Sequence, residues 1–133
     1  MFIIAFMYKK SISTHDKGLA GESRACSYLI DNGYQIIDRN FRIREGEIDI
    51  IAWQKVEKRC FLVFVEVKSL PGGDVDTLAV ELNERKRQKI VKTAKCYLKK
   101  HREYSNEYIR FDVLALDVPG LEPVHHIINA FVE

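Results

Sequence analysis

Residues 61–69, Phe-Leu-Val-Phe-Val-Glu-Val-Lys-Ser, constrain the fold of this chain more than any other segment. A run of β-branched and aromatic residues of this length predicts a central strand that is buried on both faces. The run nevertheless contains Glu66 and Lys68, which share one face because side chains alternate along a strand. Buried charges are unfavourable unless they are paired or bind something. A metal ion and a phosphate would satisfy them, so this strand end favours a metal-dependent phosphodiesterase.

The size and charge of the chain fit one globular domain with a basic face. Its 133 residues are enough for a single core, and 47% of them are hydrophobic and 30% charged. The formal net charge is only +2, but residues 85–102 contain nine lysines and arginines and no acid. The rest of the chain is therefore net acidic, at −7. This asymmetry predicts one basic face on a mildly acidic body.

The cysteines and the N-terminus indicate a cytoplasmic protein. Cys26, Cys60 and Cys96 are widely spaced and no Cys-x-x-Cys occurs, which predicts neither a zinc ribbon nor a disulfide framework. Reduced thiols in the cytoplasm are the simplest interpretation. The apolar segment 1–7 is too short to span a membrane and lacks the features of a signal peptide. Residues 1–16 are interpreted as an extension that could be an edge strand, a dimer contact or a disordered segment.

The hydrophobic pattern of residues 17–133 predicts a single α/β domain. Asp16 is the predicted N-cap of its first helix and Gly33 the residue that ends it. A charged loop over 54–60 and a flexible loop over 71–77 interrupt the pattern. The order α-β-β-β-α-β predicts a mixed sheet flanked by helices. The predicted elements are a helix over 17–32, strands over 34–39, 47–53 and 61–68, a helix over 83–101, and strands over 108–116 and 126–131.

The second and third predicted strands bring two acids close together. If they form an antiparallel hairpin around the loop 54–60, a near-symmetric register places Asp49 opposite Val65. Asp49 then lies within one residue of Glu66. These two acids and Lys68 can converge at one end of the sheet if a twist or bulge brings their faces together.

This convergence predicts a site for a hard cation. Two carboxylates can hold Mg²⁺ or Mn²⁺ through oxygen ligands. Lys68 could position the attacking water or stabilise developing charge. In the alternative interpretation, Asp49 and Glu66 are ordinary strand-end residues and one of them is paired with Lys68. Their coincidence at the strand ends favours the functional interpretation.

Glu22 is a further candidate in the first helix. It shares a helix face with Leu19 and Cys26, a face that is expected to be buried. An acid on an inner face is unusual unless it has a partner. It could be a third metal-site carboxylate, or it could orient a ligated water. The spacing fits equally well an N-terminal acid that stabilises the helix dipole.

Two basic segments are candidates for phosphate contacts. Lysines on an amphipathic helix such as 83–101 usually form a solvated face, but a run without acids fits phosphate binding along a groove. The polar cluster within residues 39–44 suits backbone phosphates, although an exposed turn would explain it too. The candidate nucleic-acid-binding residues are Arg39, Asn40, Arg42, Lys86, Gln88, Lys89 and Lys92.

Other chemistry-bearing motifs are weak or missing. The adjacent His125 and His126 would point to opposite faces of a strand, which favours structural roles over joint metal binding. The sequence contains no Gly-rich phosphate loop, nucleophile elbow or His-Glu-x-x-His helix. The candidate chemistry therefore depends on the carboxylates and the lysines.

Seven motifs in a fixed order carry a resemblance to a known family. They are Gly21-Glu22-x-x-Ala25, Arg39-Asn40-x-Arg42, Gly46-Glu47-Ile48-Asp49-Ile50-Ile51-Ala52, Phe64-Val65-Glu66-Val67-Lys68, the Lys86-containing helix, Arg110-Phe111-Asp112-Val113 and Ile128-Asn129-Ala130-Phe131. Together they resemble the YraN-like family of small bacterial proteins over residues 17–133. The combination is far more specific than the Glu-x-Lys piece alone.

The resemblance implies a fold and a set of site residues. The family is grouped with the restriction-endonuclease-like fold and its pattern is similar to that of archaeal Holliday junction resolvases. It implies a PD-(D/E)XK nuclease core in which Asp49, Glu66 and Lys68 match the motif. Glu22 matches the acid in the first helix of the resolvase branch. The implied ligands of Mg²⁺ or Mn²⁺ are Glu22, Asp49, Glu66 and the carbonyl of Val67.

The resemblance implies a metal-dependent endonuclease that acts on DNA, including branched or damaged DNA, and leaves a 5′-phosphate and a 3′-hydroxyl. A homodimer with two symmetric sites would suit junction cleavage. One departure concerns affinity, because family members usually carry an arginine where this chain has Leu70. The alternatives are a nucleic-acid-binding module that does not cut, and a structural or protein-binding domain that uses its apolar N-terminus as the contact.

Overall fold

A computed structural model of the chain describes residues 14–132, with side chains from residue 20 onwards. The interpretation of the N-terminal extension therefore falls almost entirely outside the described residues. Within 14–132, no helix combines the length and apolarity needed to cross a membrane. The elements are α1 (Thr14–Asp31), β1 (Gln35–Ile43), β2 (Gly46–Val56), β3 (Arg59–Ser69), α2 (Val75–Glu81), α3 (Glu84–Lys100), a 3₁₀ turn (Arg102–Tyr104), β4 (Tyr108–Leu116) and β5 (Val124–Phe131).

The five strands form one mixed sheet in the order β1-β2-β3-β4-β5. β1, β2 and β3 form the predicted antiparallel meander, and β4 pairs with β3 in parallel. A parallel pair needs a crossover, which α2 and α3 provide. The predicted α-β-β-β-α-β core is thus confirmed, the strand predicted over 126–131 is found as the edge strand β5, and α2 is an addition that the pattern did not predict.

A helix covers each face of the sheet. On one face, Tyr97 and Ile90 of α3 pack in a cluster with Phe64 of β3. On the other face, Leu29 of α1 packs with Val63 of β3. β3 is therefore buried from both sides, as its near-continuous run of apolar residues predicts.

The two long helices end much as the sequence indicates. Gly33 follows α1 with a φ of 88°, and its N–H donates to the carbonyl of Ile30, while the N–H of Tyr34 donates to that of Leu29. This pair of bonds is a Schellman motif, which favours glycine at that position. The prediction of Asp16 as the N-cap is wrong, because α1 already includes Thr14.

The predicted loop over 54–60 is wrong. β2 and β3 continue through it and meet in a two-residue turn, in which Val56 pairs with Arg59 and Glu57 has a φ of 56°. The hydrogen bonds between β2 and β3 join backbone groups. Charged side chains therefore do not interrupt the pairing as long as they face solvent. The tighter turn also shifts the register by one residue, so that Ile50 rather than Asp49 lies opposite Val65.

The other corrections concern β1 and the segment after β3. β1 extends to Ile43, so most of the basic cluster that begins at Arg39 lies within this strand and not in an exposed turn. The predicted flexible loop over 71–77 is cut short by α2. The Asp74 carboxylate accepts hydrogen bonds from the N–H and hydroxyl of Thr77, both at 2.9 Å, and so caps this helix.

Candidate functional site

β2 is irregular at the position of Asp49. Ile48 and Ile50 belong to clusters on opposite faces of the sheet, although residues two apart in a regular strand share a face. Across from Asp49 on β1, Asn40 has a φ of 54°. At this irregularity the Asp49 carboxylate turns toward β3, where it accepts a hydrogen bond of 2.8 Å from the N–H of Val67. The distortion that convergence of the two acids required is therefore present.

Asp49 and Glu66 form a buried pair of carboxyl groups, the acidic pair. Continuing the β2–β3 register by one step places them opposite each other, and Glu66 is only 6% exposed. Burial and the charge of Glu66 raise the pKa of Asp49 to about 7, although the hydrogen bond from the N–H of Val67 acts in the opposite direction and lowers it. The site is therefore short of positive charge, and perturbed carboxyl groups of this kind mark candidate functional sites.

Lys68 and Lys86, the two candidate lysines closest in the fold to Glu66, each form an ion pair with a different acid. Lys86 Nζ, from the first turn of α3, lies 3.4 Å from Glu66 Oε2. Lys68 Nζ lies 2.6 Å from Glu81 Oε1 at the end of α2. The alternative in which Lys68 pairs with Asp49 or Glu66 is thus not the arrangement found. Sequence analysis did not identify Glu81, because no local pattern links it to Lys68.

Glu22 is electrostatically linked to the acidic pair but is not part of a preformed cluster. Burial and the charge of Asp49 raise the pKa of Glu22, while a hydrogen bond from Asn40 and the charge of Arg39 lower it. The Arg39 guanidinium lies 3.7 Å from Glu22 Oε1. Nowhere in residues 20–132 do three His, Cys, Asp or Glu side chains stand close enough together to form a metal site. The structure therefore brings Asp49 and Glu66 together and leaves Glu22 beside them.

The donors at this site nevertheless fit a hard divalent cation. They are carboxylate oxygens, which Mg²⁺ and Mn²⁺ prefer. Glu22 Oε1 is buried and has no hydrogen-bond partner within the described part of the chain. Burial first, and then the charge of Glu66, raise the pKa of Asp49, so a bound cation would favour the ionised form of this carboxyl group. The N–H of Val67 donates to Asp49, and the carbonyl of Val67 stays a predicted ligand.

A groove of about 370 Å³ lies between the β1–β2 hairpin and α3; we call it the hairpin groove. Three of the candidate nucleic-acid-binding residues, Arg42, Lys86 and Lys89, line it together with Arg44. Lys86 also contacts Glu66, so the groove adjoins the acidic pair. Part of the predicted set of phosphate-binding residues therefore lies along a single groove.

The other candidate nucleic-acid-binding residues lie elsewhere. Arg39 and Asn40 interact with Glu22 at the acidic pair. Gln88 and Lys92 line a second groove, of about 570 Å³, in which the C-terminal residues Phe131 and Val132 take part. The basic residues of α3 thus face two different grooves, and the helix does not present a single continuous basic strip.

Gly46 sets the width of the hairpin groove, because a Cβ there would lie 2.8 Å from Thr93 Oγ1. Thr93 is fully buried and its hydroxyl donates to the Lys89 carbonyl at 2.7 Å, so it cannot easily move. Gly46→Ala is expected to lower the free energy of unfolding by about 1–3 kcal/mol, measured by urea denaturation. The control is Gly72→Ala, where a Cβ meets nothing within 4 Å and a change within about 1 kcal/mol is expected. Equal stabilities of the two variants would contradict the close approach.

A second group of buried charges lies on β4 and β5. Asp112 is fully buried and accepts two hydrogen bonds from Arg110, at 2.9 and 2.8 Å. His126 Nε2 lies 2.7 Å from the same carboxylate, and the N–H of Asn129 donates to it at 3.0 Å. Arg110 also donates to the hydroxyl of Tyr34 at 2.7 Å. Because the partners of Asp112 are all internal, this network joins strands and leaves no group directed at a ligand.

The chain is similar to many bacterial proteins of one family. It matches the model of "Uncharacterised protein family UPF0102" over residues 21–116, which include Glu22, the acidic pair and the hairpin groove. It is 43% identical over 121 residues to a UPF0102 protein of Treponema denticola, which covers 86% of this chain and 93% of that protein. It is 40% identical over 115 residues to one of Persephonella marina, with 86% and 92% covered. The names of these relatives state no activity.

Proposed function

The chain belongs to the uncharacterised protein family UPF0102, and we propose that it is a divalent-metal-dependent nuclease that hydrolyses DNA phosphodiester bonds. The family membership confirms the resemblance to the YraN-like proteins that the motifs carried. The observation that carries the proposal is the acidic pair, in which burial and Glu66 raise the pKa of Asp49 to about 7. Two buried carboxyl groups that cannot both ionise easily are well suited to a cation.

Each residue at the site has a proposed role. Asp49 and Glu66 would hold Mg²⁺ or Mn²⁺, with Glu22 as a third carboxylate or as the group that orients a water. When bound, the cation would polarise the scissile phosphate and lower the pKa of a water molecule. Lys68 would position the attacking water and stabilise the charge that develops on the phosphate. The Val67 N–H fixes the orientation of the Asp49 carboxylate.

The hairpin groove supports a nucleic acid as the substrate. Its acids are partly neutralised, since Arg42 lies 3.0 Å from Glu47 and Lys92 lies 4.0 Å from Glu45. Arg44 and Lys89 have no ion-pair partner among residues 20–132, so both are available for phosphates. A groove with free cations that adjoins two carboxylates suits a phosphodiester backbone whose scissile phosphate lies at the acidic pair.

The finer features of the proposed function come from the resolvase-like motif pattern. They are a branched or damaged DNA substrate, products with a 5′-phosphate and a 3′-hydroxyl, action in the cytoplasm, and a homodimer that would present two symmetric sites to a junction. None of these features changes the assignment of residues to the acidic pair and the groove.

A cleavage assay with wild-type and Lys68→Ala protein tests the proposal. The substrates are single-stranded, duplex and four-way-junction DNA, each with Mg²⁺, Mn²⁺ or EDTA. We expect wild-type protein to cut at least one substrate only when the metal is present, and Lys68→Ala to lose about 100-fold or more of that rate. The matched control is Lys58→Ala in the β2–β3 turn, which is expected to cut normally. Absence of metal-dependent cutting of every substrate would refute the proposal.

A nucleic-acid-binding module that does not cut is the second candidate function. Two observations favour it: the described side chains contain no preformed three-ligand cluster, and Leu70 replaces the arginine usual in the family. It predicts salt-sensitive binding without cleavage, and it predicts that Asp49→Ala leaves that binding unchanged.

Both candidate functions predict that Lys89 contributes to the salt dependence of DNA binding. Each phosphate that a protein neutralises makes the slope of log affinity against log salt more negative by about 0.9 on duplex DNA. Lys89→Ala is therefore expected to reduce the magnitude of the slope by about 1, measured by fluorescence anisotropy across a salt series. Lys58→Ala, outside the groove, is the control and keeps the wild-type slope. Identical slopes for Lys89→Ala and wild type would place the phosphates outside the hairpin groove.

A further inference from the structure

Lys68 has an unexpected partner for a residue so close to Glu66. The two residues are two positions apart on β3, which separates their Cα atoms by only about 6.6 Å and places both side chains on one face. A lysine could easily reach a glutamate at that spacing. The Lys68 ammonium instead lies 2.6 Å from Glu81, with the two side chains 28% and 36% exposed. Something other than proximity to Glu66 therefore determines its position.

Glu81 can hold this position because it lies on a fixed element. It is the last residue of α2, whose first turn is capped by Asp74. Leu78 of the same helix is buried in a cluster with Ala115 and Val118. The N–H of Leu82 donates to the Leu78 carbonyl at 3.0 Å and closes the last turn. The carboxylate of Glu81 is thus carried by a packed helix and not by a loose loop.

The contact has a consequence for the acidic pair. If Lys68 bound Glu66, its ammonium would compete with a cation for the carboxylate oxygens. With Lys68 bound to Glu81, the only lysine at Glu66 among the described residues is Lys86, whose side chain is 36% exposed and lines the hairpin groove. Lys86 thus borders both Glu66 and the groove, whereas the ion pair of Lys68 is with Glu81 on α2.

We propose that Glu81 is a positioning residue for the reaction: it binds the Lys68 ammonium and keeps it off the Glu66 carboxylate, so that Lys68 does not compete with a cation for the oxygens of the acidic pair. This inference rests on the proposed nuclease function. It assigns a role to a residue that lies outside the Glu-x-Lys motif and on a helix that the sequence pattern did not predict. Glu81 does not touch the reacting atoms and acts only through Lys68.

The test compares full-length wild-type protein with Glu81→Gln, Glu81→Asp and the control Glu84→Gln. Each variant is assayed for kcat and KM with Mg²⁺ on whichever DNA the wild type cuts, after thermal unfolding has shown that it folds. Glu81→Gln is expected to lower kcat about 10- to 100-fold with KM within about twofold of wild type. Glu81→Asp, which keeps the charge, is expected to give an intermediate kcat, and Glu84→Gln the wild-type value.

A second readout does not depend on activity. The ¹⁵N-bound protons of a lysine ammonium held in an ion pair give an NMR signal that broadens when the ammonium becomes mobile. The Lys68 signal, assigned by its loss in Lys68→Ala, is expected in wild type and Glu84→Gln and is expected to broaden in Glu81→Gln. A purely structural role of Glu81 would lower stability and leave kcat of the folded fraction unchanged.

The outcomes separate the two proposals. Cleavage by wild type with an unchanged kcat in folded Glu81→Gln would overturn the role of Glu81 and leave the nuclease function intact. A rise in KM with constant kcat would also overturn it, because Glu81 would then act in substrate binding. Absence of cleavage by the wild type would overturn both the nuclease function and this inference.

Discussion

Asp49→Asn is expected to make the protein more stable at pH 8 and to remove much of its pH dependence of stability. Burial and the charge of Glu66 raise the pKa of Asp49 from 3.8 to about 7. The native state therefore binds more protons than the unfolded state between these values, so stability falls as the pH rises through this window. The stabilisation from protonated Asp49 is complete below pH 3.8 and is lost once the pH exceeds about 7. Asparagine keeps an oxygen to accept from the Val67 N–H and carries no charge.

The measurement is urea denaturation of wild type and Asp49→Asn at pH 5 and pH 8. We expect the wild-type free energy of unfolding to fall between the two pH values, and that of Asp49→Asn to change much less. Asp31→Asn, an exposed site at the end of α1, is the control and is expected to follow the wild type. Saturating Mg²⁺ at pH 8 is expected to stabilise wild type by about 2.7 kcal/mol at 100 times its Kd and Asp49→Asn by less. Parallel pH curves for wild type and Asp49→Asn would contradict a buried, perturbed Asp49.

Asp112→Ala is expected to lower the free energy of unfolding by about 3–5 kcal/mol, because it leaves the buried Arg110 guanidinium without its partner. The carboxylate is fully buried and accepts four hydrogen bonds, two of them from Arg110. Burial alone would raise the pKa of Asp112, but the hydrogen bonds from His126 and Arg110 hold it below its ordinary value. The stability that this ionised carboxylate contributes is therefore present above pH 3.8 and lost as the pH falls further.

Urea denaturation at pH 7 tests this expectation against an exposed pair of similar geometry. Arg24 donates to Asp117 at 2.7 and 3.2 Å, with both side chains 43% exposed. Asp117 has a φ of 56°, a conformation that asparagine tolerates and alanine does not, so the control is Asp117→Asn. It is expected to cost within about 1 kcal/mol, since exposed ion pairs contribute little. The double variant Arg110→Met/Asp112→Leu is expected to recover part of the loss, because no charge is left unpaired. Equal effects of Asp112→Ala and Asp117→Asn would mean that the buried network does not stabilise the sheet.

The strongly periodic parts of the fold were predictable from the sequence. The apolar run of β3 and the amphipathic pattern of α3 specify a central strand and a packed helix, and both are found almost at the predicted positions. The hairpin predicted that Asp49 lies close to Glu66, but not the irregularity in β2 that turns the Asp49 carboxylate toward β3. The register was wrong by one residue because the turn contains Glu57 at positive φ, with no glycine or asparagine to indicate it.

The remaining features depend on contacts between distant segments. The Lys68–Glu81 pair joins β3 to α2, and the sequence Pro71-Gly72-Gly73 indicates a loop just before that helix. A useful comparison is Arg110 and Asp112, which are also two charges two positions apart on a buried strand. The same reasoning applied to them would have suggested a site, yet their partners are all internal. Spacing alone therefore identifies buried charges and does not separate structural from functional ones.

Metal-dependent cleavage of DNA at the acidic pair is tested most directly by the rate at which wild type and Glu66→Gln cut a labelled four-way junction in Mg²⁺, with binding of the same DNA measured in parallel in EDTA. We expect EDTA to abolish wild-type cutting, and Glu66→Gln to lose about 100-fold or more in rate while its DNA affinity stays within about threefold. Wild-type binding without cutting, or cutting by Glu66→Gln at the wild-type rate, would contradict this role of the acidic pair.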